Sequence, residues 1–176
     1  MQTTAVKILL QMKREIITKR FESFFGQSNN TTVFFPPERT IIDGNYTSYQ
    51  YGKVCAAEIN LDAVAAVSPN QSLVVRVKTE GYDYFEVDLK TQTPIAAERG
   101  TMAALVRGIA TRIHQLGHNV TGFDAYITSN VLPGEKPLSL VDFEILIGTI
   151  INNLDSCGLN AVEIVQVGQY VENMFF

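Results

Sequence analysis

The sequence has no tryptophan, only two cysteines, no excess of basic residues and no apolar run long enough to cross a bilayer. Each of these shortages excludes something. Cys55 and Cys157 stand far apart without metal-ligand spacing, which argues against a disulfide scaffold or a zinc module; two reduced, buried thiols are expected. Fourteen basic residues against eighteen acidic ones leave a formal charge of −4, so no overall field draws the chain to nucleic acid. The short apolar stretch Thr4 to Leu10 carries Lys7 and no small-residue cleavage site, unlike a signal peptide. A cytoplasmic protein with no nucleic-acid or membrane partner is the expectation. No G-x-x-x-x-G-K-[ST] phosphate loop, internal repeat or low-complexity linker occurs, and residues 1–176 read as one domain, large enough to bury a core.

What is present has clear periodicity. Val6, Leu9, Met12, Ile16, Ile17, Phe21 and Phe24 recur at helical spacing from Thr4 to Phe25, with Gly26 as a C-terminal stop. The opposite face carries Lys7, Lys13, Arg14, Lys19 and Arg20, interrupted by Glu15 and Glu22, and reads as a solvated face rather than a polyanion or membrane patch. Short strands are expected at Thr32–Phe35, Val54–Leu61 and Ala63–Val67, followed by a hairpin in which Leu73, Val75 and Val77, then Phe85, Val87 and Leu89, alternate with polar residues. Helical spacing returns at Thr101–Leu116, closed by Gly117; a strand follows at Phe123–Thr128, a helix from about Leu138 to Leu154, and a last helix from an Asn160 cap to the terminus. This order predicts an α+β fold with helices gathered on one side of a largely antiparallel sheet.

The segment from Phe34 to Cys55 is the densest run of aromatic, polar and turn-forming residues, and it reads as a ligand loop. Pro36 and Pro37 stop the strand before it by fixing φ and removing donors. Tyr46, Tyr49 and Tyr51 fit either an aromatic sugar platform or simple loop packing. Pro37, Arg39, Gly44, Thr47, Tyr49, Gly52 and Val54 match, without gaps, the signature A-P-G-R-V-N-L-I-G-E-H-T-D-Y-N and its continuation, and Phe21, Phe25 and Gly26 match its F-x-x-x-F-G lead-in. The chain therefore resembles the N-terminal half of the galactokinases, within the GHMP sugar kinases. The family holds sugar hydroxyls with the Glu and His after the glycine and the Asp two residues later; Asn45, Tyr46 and Ser48 occupy those positions here, replacing strong carboxylate acceptors with neutral groups.

The resemblance also implies ATP and Mg²⁺, held in the family by a G-x-G-L-S-S-S-A loop at a helix N-terminus, where free amides and the dipole favour an anion. Gly134-Glu135-Lys136-Pro137-Leu138-Ser139-Leu140-Val141 stands in its place, flanked by Glu144, with Gly134, Lys136 and Ser139 as the remaining candidates. Pro137 removes a donor, Glu135 adds negative charge, and Leu138 and Leu140 replace hydroxyls. Met102 and Leu105 occupy the Trp and Tyr positions of the family's W-x-N-Y-V-[KR]-G. The segment Val167–Phe176 is similar to the G-Q-x-A-E-N-x-F run that precedes the family's C-G-x-M-D-Q motif, whose Asp is catalytic; nothing here corresponds to that motif, which leaves Arg39 as the one catalytic candidate.

The fold implied is that of a GHMP kinase N-terminal domain, ribosomal-protein-S5-domain-2-like, with the C-terminal GHMP domain absent. The family reaction is ATP-dependent phosphorylation of galactose to galactose 1-phosphate; a chain with these substitutions is expected to be inactive alone and to act as a binding or interaction module. The alternative is one half of a split sugar kinase completed in trans. Met174, Phe175 and Phe176 either pack on their own sheet or present an apolar end to a homodimer or partner chain. His114 and His118 are separated by Gly117 and lack a companion ligand, so no metal site is expected.

Overall fold

The computed structural model describes residues 4–35, 38–43, 55–59, 63–129 and 138–176. Helix α1 (Thr4–Phe25) leads to strand β1 (Thr32–Phe34), β2 (Glu38–Asp43), β3 (Cys55–Ile59), β4 (Val64–Pro69), β5 (Val74–Thr79), β6 (Phe85–Asp88), helix α2 (Met102–Gln115), β7 (Phe123–Thr128), α3 (Leu140–Leu154) and α4 (Ala161–Met174). Five strands form one sheet in the order β1-β4-β7-β5-β6, antiparallel except for the β5–β7 pair, while β2 and β3 form a separate two-stranded sheet. The parallel pair follows from connectivity: β5 and β6 are joined as a hairpin, and α2 carries the chain back across the sheet to β7.

Period-two alternation gives the sheet two apolar faces. Val75 and Val77 of β5, Val87 of β6 and Phe123, Ala125 and Ile127 of β7 are buried on one face, under Leu105, Ile109 and Ile113 of α2 and the apolar stripe Phe143, Leu146, Ile147, Ile150 and Ile151 of α3. Helix α4 closes this layer through Val167 and Val171. On the other face Val64 and Ala66 of β4 meet Ile17 and Phe21 of α1, with Tyr126 alongside. The expected set of helices on one side therefore holds for α2, α3 and α4, while α1 covers the opposite face of β4 and β7. Helical periodicity states that a face is buried, not against which side of a sheet.

Capping fixes the helix ends. Gly26 adopts φ +92° and donates its amide to Glu22 O at 2.9 Å. The Ser139 side chain accepts from Asp142 N, so α3 begins one to two residues later than its apolar pattern suggests. Asn160 and Glu163 form a complete capping box at α4. Close approach of helices uses glycine at Gly108, where an ideal Cβ would lie 2.5 Å from Val171 Cγ1 and 2.9 Å from the Phe175 ring.

Two sequence expectations change. The ligand-loop segment contains a strand, since Glu38–Asp43 pairs antiparallel with Cys55–Ile59 in the register Glu38↔Ile59 to Asp43↔Cys55. The basic face of α1 is not uniformly solvated: Lys13 is buried, Arg14 stacks over the Phe35 ring at 5.0 Å, and Arg20 bonds Glu80 at 2.8 Å. At the other terminus Phe175 is buried and Phe176 packs on the core, leaving Met174 exposed. Cys157 is a free, half-buried thiol, pushed up in pKa by desolvation and by Asp155.

Candidate functional site

Of the sequence-derived site residues, Asn45, Tyr46, Ser48, Gly134 and Lys136 lie outside the described residues, as do Tyr49 and Tyr51. Arg39 lies in β2, opposite Glu58 in the ladder. Ser139 is the N-cap of α3 and is exposed. Ser139 thus stands at the start of α3 and Arg39 in β2.

The described residues around the ends of β5 and β7 carry a polar cluster that sequence reasoning did not single out. The Glu80 carboxylate accepts from Arg20 of α1 at 2.8 Å and, through a short hydrogen bond, from the Thr128 hydroxyl of β7, while the Glu80 amide donates to Ile127 O at 2.8 Å. Thr79, the last residue of β5, is 1% exposed, and its Oγ1 has no hydrogen-bond partner among the described residues. A buried hydroxyl without a partner costs on the order of 1–3 kcal/mol, so it is a place where a ligand donor or acceptor would be welcome.

A second unpartnered atom is in α3. Glu144 is 5% exposed, its Oε1 has no partner among the described residues, and its Oε2 lies 3.0 Å from the position of a Cβ on Gly168 of α4. Desolvation, followed by the charge of Glu172, pushes its carboxyl up to about 8. Glu144 is therefore mainly protonated at neutral pH and offers an O–H donor between two helices. A carboxylate between Phe143, Leu146 and Ile147 on the buried stripe of α3 is a signal the sequence contained.

Arg107 is another buried charge on an apolar helix face. Its Nε and Nη2 bind Glu98 Oε2 and Oε1 at 2.7 Å each, and Nη1 donates to Asp88 O at 2.6 Å and Thr91 O at 2.8 Å. Being committed to four protein oxygens, it ties the β6–α2 connection to α2 and has a positioning role. Leu105 is fully buried and Met102 packs on the core, so neither offers an exposed flat ring face for a base.

The start of α3 fits a magnesium-bound triphosphate poorly. Its one described hydroxyl, Ser139, is engaged with Asp142 through a short hydrogen bond and by capping Asp142 N, and the next two side chains, Leu140 and Val141, are exposed and apolar. Asp142 adds a carboxylate in the first turn, where a phosphate would need the amides and the dipole to itself.

Residues 19–69 match the galactokinase galactose-binding signature. The galactokinase of Lacticaseibacillus paracasei is 33% identical over 159 residues, covering 89% of this chain and 41% of that protein. The galactokinase of Bacillus subtilis is 26% identical over 164 residues, covering 92% and 42%. Among solved structures, Lactococcus lactis galactokinase complexed with galactose superposes with a TM-score of 0.76 at 24% identity, covering 90% of this chain and 42% of that one. Methanococcus jannaschii mevalonate kinase superposes with a TM-score of 0.64 at 14% identity over 84% of this chain. The chain spans about two fifths of the length of the galactokinases it matches. In sequence over most of its length and in fold, this chain is galactokinase-like and corresponds to the N-terminal half of that family.

Proposed function

We propose that this chain is a galactokinase-type domain that binds a sugar of the galactose class and does not by itself transfer phosphate. The observation that carries the second half of this reading is the start of α3, where the one described hydroxyl is held by Asp142 and is followed by exposed Leu140 and Val141. Phosphoryl transfer depends almost entirely on positioning and charge stabilisation around the phosphates, so losing that cradle removes the largest protein contribution to the reaction. The sugar half is supported by the match of residues 19–69 to the galactose-binding signature and by the galactose complex of the similar Lactococcus lactis enzyme. Asn45, Tyr46 and Ser48 stand in the sequence at the family's sugar-ligand positions and offer only neutral hydrogen-bonding groups, which sets the expected affinity below that of a site built from carboxylates.

Calorimetry on the full chain tests both halves. Titration with galactose is expected to give saturable heat and titration with ATP and magnesium none. Nucleotide binding would overturn the reading of α3 and favour one half of a split kinase, completed in trans by a catalytic domain. Absence of sugar binding would leave a domain retained for protein interaction.

A further inference from the structure

We propose a second small-molecule site in the cleft between the C-terminal half of α2 and the end of the β5–β6 hairpin, with a small organic anion, an apolar body bearing one carboxylate or phosphomonoester, as its ligand. The cleft has a volume of about 380 Å³, within the range of natural small-ligand cavities. It lies where β5 and β7 begin and β6 ends, at the opposite end of the sheet from the exits of β5 and β7 that carry Thr79 and Glu80. It is therefore separate from Thr79 and Glu80, and its test does not rest on the sugar or phosphate readings above.

The lining combines an apolar floor, neutral polar side chains such as Gln92, Thr111 and Asn119, and a basic rim. Leu89, Ala110 and Val120 form the floor together with Leu73, a large apolar side chain left 45% exposed within the cleft. Lys90 supplies the rim charge, and His114 adds a ring nitrogen. No carboxylate is among the described residues that line the cleft. The nearby acids are committed elsewhere: Glu98 to Arg107, Asp155 to the amide and hydroxyl of Thr121 at 3.1 and 2.7 Å, and an Asp88 carboxylate oxygen to the Lys90 amide at 2.9 Å. His114 Nδ1 contacts His118 O at 3.2 Å, which leaves Nε2 as the nitrogen available to a ligand. A cleft whose floor gains from covering Leu73, and whose rim holds an ammonium without a partner among the described residues, is complementary to an apolar anion rather than a cation.

The test is an amide-resolved NMR titration of the full chain with benzoate, phenyl phosphate and benzyl alcohol, each to about 10 mM, roughly tenfold above a millimolar dissociation constant. Expected are saturable shifts centred on Leu73, Leu89, Ala110 and Val120 with either anion and none with the alcohol. The tighter of the two anions assigns the headgroup as carboxylate or phosphomonoester. Lys90→Gln is expected to weaken binding by roughly fivefold while leaving the remaining spectrum unchanged, as loss of one surface charge contact implies. Ala110→Leu is expected to fill the cleft and abolish the shifts; because it alters a packed helix, Lys90→Gln is the deciding variant. No shifts with any probe, equal binding of benzyl alcohol, or undiminished anion binding in Lys90→Gln would overturn the proposal.

Discussion

Replacing Glu144 by glutamine is expected to stabilise the fold, by an amount that grows with pH. In the folded chain, burial and the neighbouring Glu172 charge push the Glu144 carboxyl from 4.5 up to about 8. An acid whose folded pKa lies above its unfolded value holds its proton more tightly in the native state. Its contribution is therefore fully present below about pH 4.5, and it is lost as pH rises toward 8. The slope between those limits is about 1.4 kcal/mol per pH unit, so about 3 kcal/mol is forgone by pH 7. That is a large share of the roughly 5–15 kcal/mol by which domains are stable. Glu144→Gln keeps the shape and carries no proton to lose. Urea unfolding of both proteins from about pH 5 to 8 should give curves that converge at the acid end and separate by about 1.4 kcal/mol per unit above it. Parallel curves, or a wild type that gains stability relative to the variant as pH rises, would refute the burial argument.

Arg107→Ala should cost about 3–5 kcal/mol in the same assay, because it strands the Glu98 carboxylate and two carbonyls; Arg107→Lys should recover only part, since an ammonium cannot reproduce the paired contacts to Glu98. A loss below about 1 kcal/mol would show the cluster to be solvated. Gly108→Ala should destabilise by about 1–3 kcal/mol, since the added carbon would meet Val171 at 2.5 Å, and methyl-resolved spectra should show the disturbance at Val171 and Phe175 before elsewhere. An unchanged melting midpoint would mean that α2 and α4 separate freely.

Much of this fold was legible because the signals were local. Helices α1 to α4 follow from 3.6-residue periodicity with Gly26, Gly117 and Asn160 as punctuation, and β5, β6 and β7 from alternation. Strand β2 was not legible: Glu38-Arg39-Thr40-Ile41-Ile42-Asp43 does not alternate, follows two prolines, and gains its partner only from Cys55–Ile59. The side of the sheet covered by α1 was unreadable for a different reason, since β4 is apolar at consecutive positions and offers both faces. In the site, the position of Ser139 was readable from the family comparison, but its capture by Asp142 was not, because a cap needs the helix start fixed to one residue. Glu144 and Arg107 could have been found as charges on apolar helical stripes. Thr79 could not, because a buried hydroxyl in a strand ordinarily finds a partner, and only coordinates show that this one does not.

The separate β2–β3 ribbon has a consequence for how such a chain can change over time. Its two strands pair with each other and, among the described residues, form no ladder with the five-stranded sheet. Asn45, Tyr46 and Ser48 fall between these two strands in the sequence. A ribbon of two strands contributes little independent stability, so mutations within it escape most of the penalty that purges substitutions at Val75 or Ile109. Recognition can then drift while foldability stays under selection, and one inherited scaffold can lose, relax or exchange its ligand without passing through an unfolded intermediate sequence.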